Sequence, residues 1–206
     1  MTRREVLQIA KPILFNTDMI RAIRDGRKTV TRRAVKFTEG RNPNWTGYKK
    51  DGLILYNGKN EPCNKKPPYQ PGDYLYVRET WGTYNRNWWE ADYFMYRADY
   101  PEKASTYTYS DGIVCDLPKW RPSIHMPKEA ARIFLRVTDV RVERLQDIMK
   151  DPPGPDSQVV KEGCNYGCDF IAVWENTIKK SERDKYGWNA NPWVWVIEFE
   201  RVEVEP

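Results

Sequence analysis

The sequence contains one histidine, four cysteines and no long apolar segment. A membrane-spanning helix needs about 18 consecutive apolar residues, and no run approaches that length. No apolar stretch of the signal-peptide type lies near the N-terminus, so we expect a cytoplasmic protein with no membrane partner. Internal repeats and coiled-coil heptads are also missing.

The few cysteines are irregularly spaced, at Cys63, Cys115, Cys164 and Cys168. Cys164 and Cys168 form a CxxxC pair, whereas structural zinc sites use CxxC pairs, and no clear second pair accompanies it. A disulfide scaffold is not expected in a reducing compartment. The spacing therefore predicts free thiols, no metal site and no cofactor.

Turn-forming and aromatic residues are abundant. Among 206 residues there are 15 prolines and 12 glycines, and 14% of the chain is aromatic, including nine tryptophans. Aromatic residues favour strands, while proline and glycine mark turns. This composition favours a β-rich fold over a helical bundle.

Positive charge is concentrated at the start of the chain. Residues 1–50 hold 13 lysines and arginines against 4 acidic residues, while the whole chain has a net charge of only +5. A basic third on a nearly neutral body suggests a localised anion-binding face, for which nucleic acid is the leading partner. The alternative is a solvated surface with a mobile basic tail at Arg3 and Arg4.

The first elements can be predicted from the residue pattern. Residues 12–15 are typical of a strand, and Asn16 or Thr17 can cap a helix that follows. Gly26 occupies the place where a helix ends in a left-handed residue. Residues 29–36 then predict a second strand, with Thr29 and Thr31 on one face.

The rest of the pattern predicts a small, mostly antiparallel β-barrel with two or three peripheral helices, which is an α+β fold. One domain covers residues 1–206, with insertions at about 38–70 and 83–118. Further strands are predicted at 74–81, 93–96, 132–145 and 193–204, a hairpin-like run at 53–58, and helices within 156–163 and 170–179.

One stretch, Gly26-Arg27-Lys28-Thr29-Val30-Thr31-Arg32-Arg33, combines four cations with two hydroxyl residues. A threonine hydroxyl becomes a nucleophile when a neighbouring base takes its proton. A lysine can be that base if burial or adjacent cations lower its pKa. Lys28 is therefore a candidate base, and either Thr29 or Thr31 is a candidate nucleophile.

Two motifs give the chain a resemblance to a known family. The stretch from Gly26 to Arg33, followed by Gly72-Asp73-x-Leu-x-Val-Arg78-Glu79, resembles the ASCH family. The runs Pro122-Ser123-Ile124-His125-Met126-Pro127 and Asn191-Pro192-Trp193-Val194-Trp195-Val196 resemble the elaborated version of this family that is common in phages and prophages. The resemblance covers most of residues 11–203. It implies a PUA-like β-barrel fold and RNA binding.

The resemblance also implies catalytic residues. At least one small bacterial ASCH protein is an amidohydrolase that removes the acetyl group from N4-acetylcytidine with a lysine, a threonine and a glutamate. Its motif places the lysine and the threonine at Lys28 and Thr31. The glutamate, which lies in the loop and helix after the long strand, corresponds in position to Glu162.

Residues expected to contact the substrate or RNA surround this set. Arg27, Arg32 and Arg33 are candidates for phosphate contacts. Arg78 and Glu79 can face the same cleft, or form a structural ion pair. Trp81 is a candidate stacking surface for bases, together with Trp88, Trp89 and Trp120, and packing in the core or in a loop is the alternative role of these tryptophans. His125 is a candidate base or phosphate ligand, and a hydrogen-bonded structural role in its loop is the alternative.

Three hypotheses follow. The first is an amidohydrolase that acts on an acylated nucleoside through Lys28, Thr31 and Glu162. The second is a non-catalytic module that reads an unpaired or modified base of RNA. The third is a ribonuclease in which Lys28 and an arginine stabilise a phosphorane.

Overall fold

The structure is a computed structural model that describes residues 1–36, 66–84, 93–108, 112 and 114–205, and the backbone of 43–49 and 52–57. Cys63, Trp88 and Trp89 lie outside the described residues, as do parts of both predicted insertions. The three described cysteines, Cys115, Cys164 and Cys168, are free thiols.

The fold is α+β. The helices are α1 (Arg3–Ile9), α2 (Thr17–Arg24), α3 (Gln158–Lys161), α4 (Gly167–Thr177) and α5 (Arg183–Tyr186). The strands are β1 (Lys11–Leu14), β2 (Val30–Ala34), β3 (Pro43–Lys49), β4 (Gly52–Asn57), β5 (Tyr74–Arg78), β6 (Trp81–Tyr84), β7 (Tyr93–Tyr96), β8 (Thr106–Thr108), β9 (Val114–Asp116), β10 (Phe134–Arg144) and β11 (Trp193–Val202).

The main sheet is mixed and open. Its strand order is β1-β5-β10-β11-β2, and three two-stranded sheets pair β3 with β4, β6 with β7 and β8 with β9. β1 runs parallel to β5, whereas β2 runs antiparallel to β11. Within the described residues the sheet does not close into the predicted barrel. β1 lies at one edge of this sheet. It contains Pro12, which has no N–H donor, and proline is tolerated mainly on such edge strands.

Helix α2 forms where the sequence predicts it, because both of its ends carry the expected signals. The Asn16 side chain accepts a hydrogen bond from Met19 N at 2.9 Å and so caps the N-terminus. Ile20 and Ile23 are buried on one face. Gly26 has a φ of 74°, which a residue without Cβ adopts without strain.

Two strand predictions need correction. The run 74–81 was predicted as one strand, but it divides into β5 and β6, and Glu79 and Thr80 lie between them. β2 begins at Val30, so Thr29 precedes the strand, and its side chain is exposed. Thr29 and Thr31 therefore differ in burial, although simple alternation predicts that they share one face of the strand.

The N-terminus forms helix α1, so Arg3 and Arg4 do not belong to the mobile basic tail that was considered as an alternative to an anion-binding face. Thr2 and Glu5 form a reciprocal capping box, in which Thr2 N donates to Glu5 Oε2 at 2.8 Å. The guanidinium of Arg3 donates to the carbonyl oxygens of Glu129 and Ala131. Helix α1 is thereby fixed at its first turn.

The described contacts divide the chain into two compact units. The first unit comprises Met1–Asp25, Tyr74–Leu135 and Arg201–Pro206, and its apolar core includes Val6, Trp81 and Phe134. The second unit comprises Gly26–Asp73 and Arg136–Glu200. Its core includes Val30, Ile148, Phe170, Trp174 and Val196.

Candidate functional site

The side chain of Lys28 is buried in the second unit, with an exposed fraction of 0%. The left-handed turn at Gly26 precedes it, and its neighbours Arg27 and Thr29 are exposed. The chain therefore directs Lys28 inward between two exposed neighbours. Lysine is almost never fully buried unless it is paired, so the partners of Lys28 are the centre of the site.

Three acceptors surround the ammonium group of Lys28. Nζ donates to the carbonyl oxygen of Val30 at 2.7 Å and to that of Glu162 at 2.9 Å. It also donates to Glu162 Oε2 at 2.6 Å. A lysine ammonium has three N–H donors, so these contacts match its full capacity.

Glu162 reaches Lys28 because helix α3 ends there. Glu162 is the C-terminal cap of α3, and the next residue, Gly163, has a φ of 87°. Gly163 N donates to Val160 O at 2.7 Å, and Cys164 N donates to Val159 O at 3.2 Å. This left-handed helix end fixes the backbone of Glu162 beside Lys28, where the two residues form an isolated antiparallel bridge.

Arg32 contacts the second oxygen of the same carboxylate. Its NH1 donates to Glu162 Oε1 at 3.1 Å, and its NH2 donates to Gln158 Oε1 at 3.0 Å and to Glu143 Oε2 at 3.4 Å. The side chain is only 1% exposed. The predicted phosphate contact by Arg32 does not fit this environment, because the guanidinium is enclosed by acceptors of the protein itself.

The ionic network continues outward to Arg141. Its Nε donates to Glu143 Oε1 at 2.6 Å and its NH2 donates to Gln158 Oε1 at 3.3 Å. Its NH1 contacts Glu198 at 2.5 Å and Asp139 at 3.1 Å. This outer group of charges was not predicted from the sequence. The sequence does carry a pattern that indicates it: the alternation Asp139-x-Arg141-x-Glu143 places three charges on one face of β10.

Thr31 is buried, with an exposed fraction of 2%, and pairs with Ile197 of β11. Because strand side chains alternate, Thr31 and Arg33 lie on the face of β2 opposite to Val30 and Arg32. Its hydroxyl is not among the three acceptors of Lys28 Nζ described above. Lys28 reaches the carbonyl of Val30, at the backbone of the strand that carries Thr31.

The electrostatics of the site follow from burial. Burial lowers the pKa of Lys28; Glu162 opposes this effect, and the positive charge of Arg33 adds to it. Burial also raises the pKa of the neighbouring Cys164 thiol to about 11, with a further contribution from Glu162. The site therefore holds a lysine that loses its proton more readily and a thiol that keeps it.

In the first unit, Glu79 forms a separate buried ion pair. Its two carboxylate oxygens accept from Arg132 Nε at 2.9 Å and NH2 at 3.0 Å. Arg132 also contacts Asp99 at 2.7 Å and lies 3.8 Å from the centre of the Tyr96 ring. Burial raises the pKa of Glu79 in spite of the arginine.

The other predicted binding residues of the first unit have local partners. Arg78 donates to the carbonyl oxygens of Met126, at 3.1 Å, and Ile124. The ring of Trp81 is buried below the guanidinium of Arg121, 5.0 Å from its centre. The side chain of His125 is exposed at the end of a 3-10 turn.

Within the described ranges, no group of three or more histidine, cysteine, aspartate or glutamate side chains is arranged to hold a metal ion. Among those same residues, no helix is both long enough and apolar enough to span a bilayer. Comparisons of the chain with protein-family models, with curated proteins and with solved structures found no match.

Proposed function

We propose that this protein is an ASCH-type, PUA-like amidohydrolase that removes an acyl group from a modified nucleoside such as N4-acetylcytidine. The observation that carries the proposal is the fully buried ion pair between Lys28 Nζ and Glu162 Oε2, at 2.6 Å. Lys28, Thr31 and Glu162 are the three positions that the family resemblance assigns to catalysis.

A buried lysine is costly for a fold, which supports a functional role. Removing a charged group from water requires several kcal/mol of compensation even when a partner is present. Groups whose pKa is shifted by burial and by a specific charge cluster at functional sites. Here burial favours the neutral amine of Lys28, which is the form that can accept a proton.

The proposed reaction uses that amine twice. Neutral Lys28 accepts the proton of Thr31 Oγ1 as this oxygen bonds to the amide carbonyl carbon. Lys28 then donates the proton to the amide nitrogen, the C–N bond breaks, and the free nucleoside leaves an acyl ester on Thr31. Water attacks the ester, and its proton passes through Lys28 to the departing Thr31 oxygen, which releases the carboxylic acid.

Two contacts of the site bear on these steps. Glu162 orients Lys28 through its carboxylate, and hydrogen-bonded orientation of a base is typical of such sets. The three N–H donors of Lys28 are directed to Val30 and Glu162. Substrate binding must therefore redirect Nζ toward Thr31, in line with catalytic hydrogen bonds that tighten only in the complex.

The test is to incubate the protein with N4-acetylcytidine and to resolve the products by chromatography. Wild type should release cytidine, and Lys28→Met and Glu162→Gln should each lower kcat/KM by about 10²- to 10⁴-fold, as expected for the loss of a positioned base or its partner. Lys36→Met is the matched control, since Lys36 is an exposed lysine paired with Glu182 in the same unit. It should retain wild-type activity.

A wild-type protein that releases no cytidine would contradict the proposal, provided that circular dichroism shows a folded chain. Equal activity of Lys28→Met and wild type would also contradict it. If the folded protein instead binds single-stranded RNA in a salt-dependent manner without hydrolysis, the non-catalytic binding module replaces the hydrolase.

A further inference from the structure

The carboxylate of Glu162 is shared between two buried cations. Its Oε2 accepts from Lys28 at 2.6 Å, while its Oε1 accepts from Arg32 at 3.1 Å. The side chains of Lys28, Arg32 and Glu162 are at most 5% exposed. One negative charge is therefore divided between two positive charges in a place that water screens poorly.

Arg32 is held in this position from its other side. Gln158 and Glu143 accept from its NH2 group, and Arg141 binds both of these acceptors in turn. Within the described residues, Arg32 Nε has no hydrogen-bond partner. The terminal nitrogens therefore fix the guanidinium, and rotation away from Glu162 would break contacts on both sides.

We propose that Arg32 is a positioning residue of the site, which acts through Glu162 and not through RNA. By binding Oε1 it fixes the carboxylate plane, so that only Oε2 faces Lys28, and it withdraws part of the negative charge that would stabilise the lysine ammonium. Arg32 thereby favours the neutral amine that the proposed reaction requires. The effect of Arg32 on Lys28 matters for catalysis only if the proposed function is correct.

Other charged and titratable groups also act on Lys28. The positive charge of Arg33 favours the neutral amine, whereas Glu162 and Cys164 favour the ammonium form. Arg32 itself forms ion pairs with Glu162 and Glu143, and Glu143 also pairs with Arg141. Glu143 is the acid on the far side of Arg32, so removing its charge should strengthen the effect of Arg32 on Lys28.

The test measures the pKa of Lys28 directly in the full chain. Lysines are labelled with carbon-13 at Cε, the Lys28 signal is assigned by its loss in Lys28→Met, and its shift is followed by NMR from neutral to alkaline pH. In Arg32→Met, the pKa of Lys28 should rise by about one pH unit, because a neighbouring positive charge is lost and Glu162 is freed.

Two further variants separate this effect from a loosened core. Gln158→Met removes a hydrogen-bond partner of Arg32 but leaves both cations and Glu162, so the pKa of Lys28 should change by less than in Arg32→Met. Glu143→Gln keeps Arg32 but removes an acid that neutralises it, so the pKa of Lys28 should fall. This variant still tests the proposal if Arg32→Met does not fold.

An unchanged pKa of Lys28 in both Arg32→Met and Glu143→Gln would overturn the inference. An equal rise in Arg32→Met and Gln158→Met would also overturn it, since a loosened core would then be the cause. If the pKa shifts as expected but wild type does not hydrolyse N4-acetylcytidine, the coupling stands and the proposed function fails. If hydrolysis occurs without the shift, the function stands and Arg32 has no positioning role.

Discussion

At the scale of single residues, Lys28 differs from the other lysines of the described chain, because it alone is buried. Its carboxylate partner, Glu162, is 134 positions away in the sequence. The local pattern predicted a base at Lys28, but it could not predict the burial, which arises when the end of α3 lies beside the start of β2. Glu162 was predicted only through the family resemblance. Arg32 was predicted as a phosphate contact, since a run of cations does not reveal which of its members turn inward.

The second buried ion pair, between Glu79 and Arg132, gives a prediction about stability. Arg132→Met leaves the Glu79 carboxylate, which is 2% exposed, without its two hydrogen bonds. We expect the free energy of unfolding to fall by about 3 kcal/mol near neutral pH, the lower end for a broken buried pair, since Arg132 is partly exposed. Urea denaturation measures this change.

The loss should depend on pH. Burial already raises the pKa of Glu79 in the folded chain, and removal of Arg132 raises it further. A carboxyl group whose pKa is higher folded than unfolded stabilises the fold below the unfolded pKa, and that contribution is lost as the pH rises through the folded value. Arg132→Met should therefore be less destabilised near pH 5 than near pH 7, and Glu79→Gln/Arg132→Met should recover much of the loss at pH 7. A loss that is equal at both pH values would contradict this account.

At the scale of elements, helices and strands with end signals could be predicted from the sequence. The Asn16 cap and the left-handed Gly26 confirm the predicted ends of α2, and β7 lies where its aromatic run predicts it. Helix α1 was missed although its capping box is visible in the sequence as Thr2-x-x-Glu5. Strand pairing was less predictable, because the partners of a strand depend on distant residues and not on its own pattern.

The end of α3 gives an element-scale prediction. Gly163 has a φ of 87°, and a residue with Cβ is disfavoured in that region by about 1–2 kcal/mol. Gly163→Ala should lower stability by about that amount and should also lower the hydrolysis rate, because the turn positions Glu162. Chemical denaturation and kcat/KM measure the two effects.

Gly154→Ala is the control for that substitution. Gly154 is exposed, and an added Cβ meets no atom within 4 Å. The stability and activity of the Gly154→Ala protein should stay close to those of wild type. If Gly163→Ala were as stable and active as Gly154→Ala, the left-handed turn would have no role in holding Glu162.

At the scale of the whole molecule, several cations of the basic N-terminal third contact groups that come later in the chain. Within the first unit, Arg24 pairs with Asp99 and Arg21 donates to the carbonyl oxygens of Ala98 and Tyr100. Within the second unit, Arg32 pairs with Glu162. The charge asymmetry of the sequence predicts an anion-binding face, but folding directs several of these cations to partners within the chain.

The proposed reaction depends on Thr31 as the nucleophile, and the chain contains its own control. Thr29 lies two positions earlier in the same basic stretch and is exposed, whereas Thr31 is buried. The most direct measurement is kcat/KM for N4-acetylcytidine in Thr31→Val and Thr29→Val beside wild type. We predict that Thr31→Val loses at least about a thousand-fold, as expected when a nucleophile is removed, and that Thr29→Val keeps near wild-type activity. Activity that survives in Thr31→Val, or that is lost only in Thr29→Val, would contradict the account.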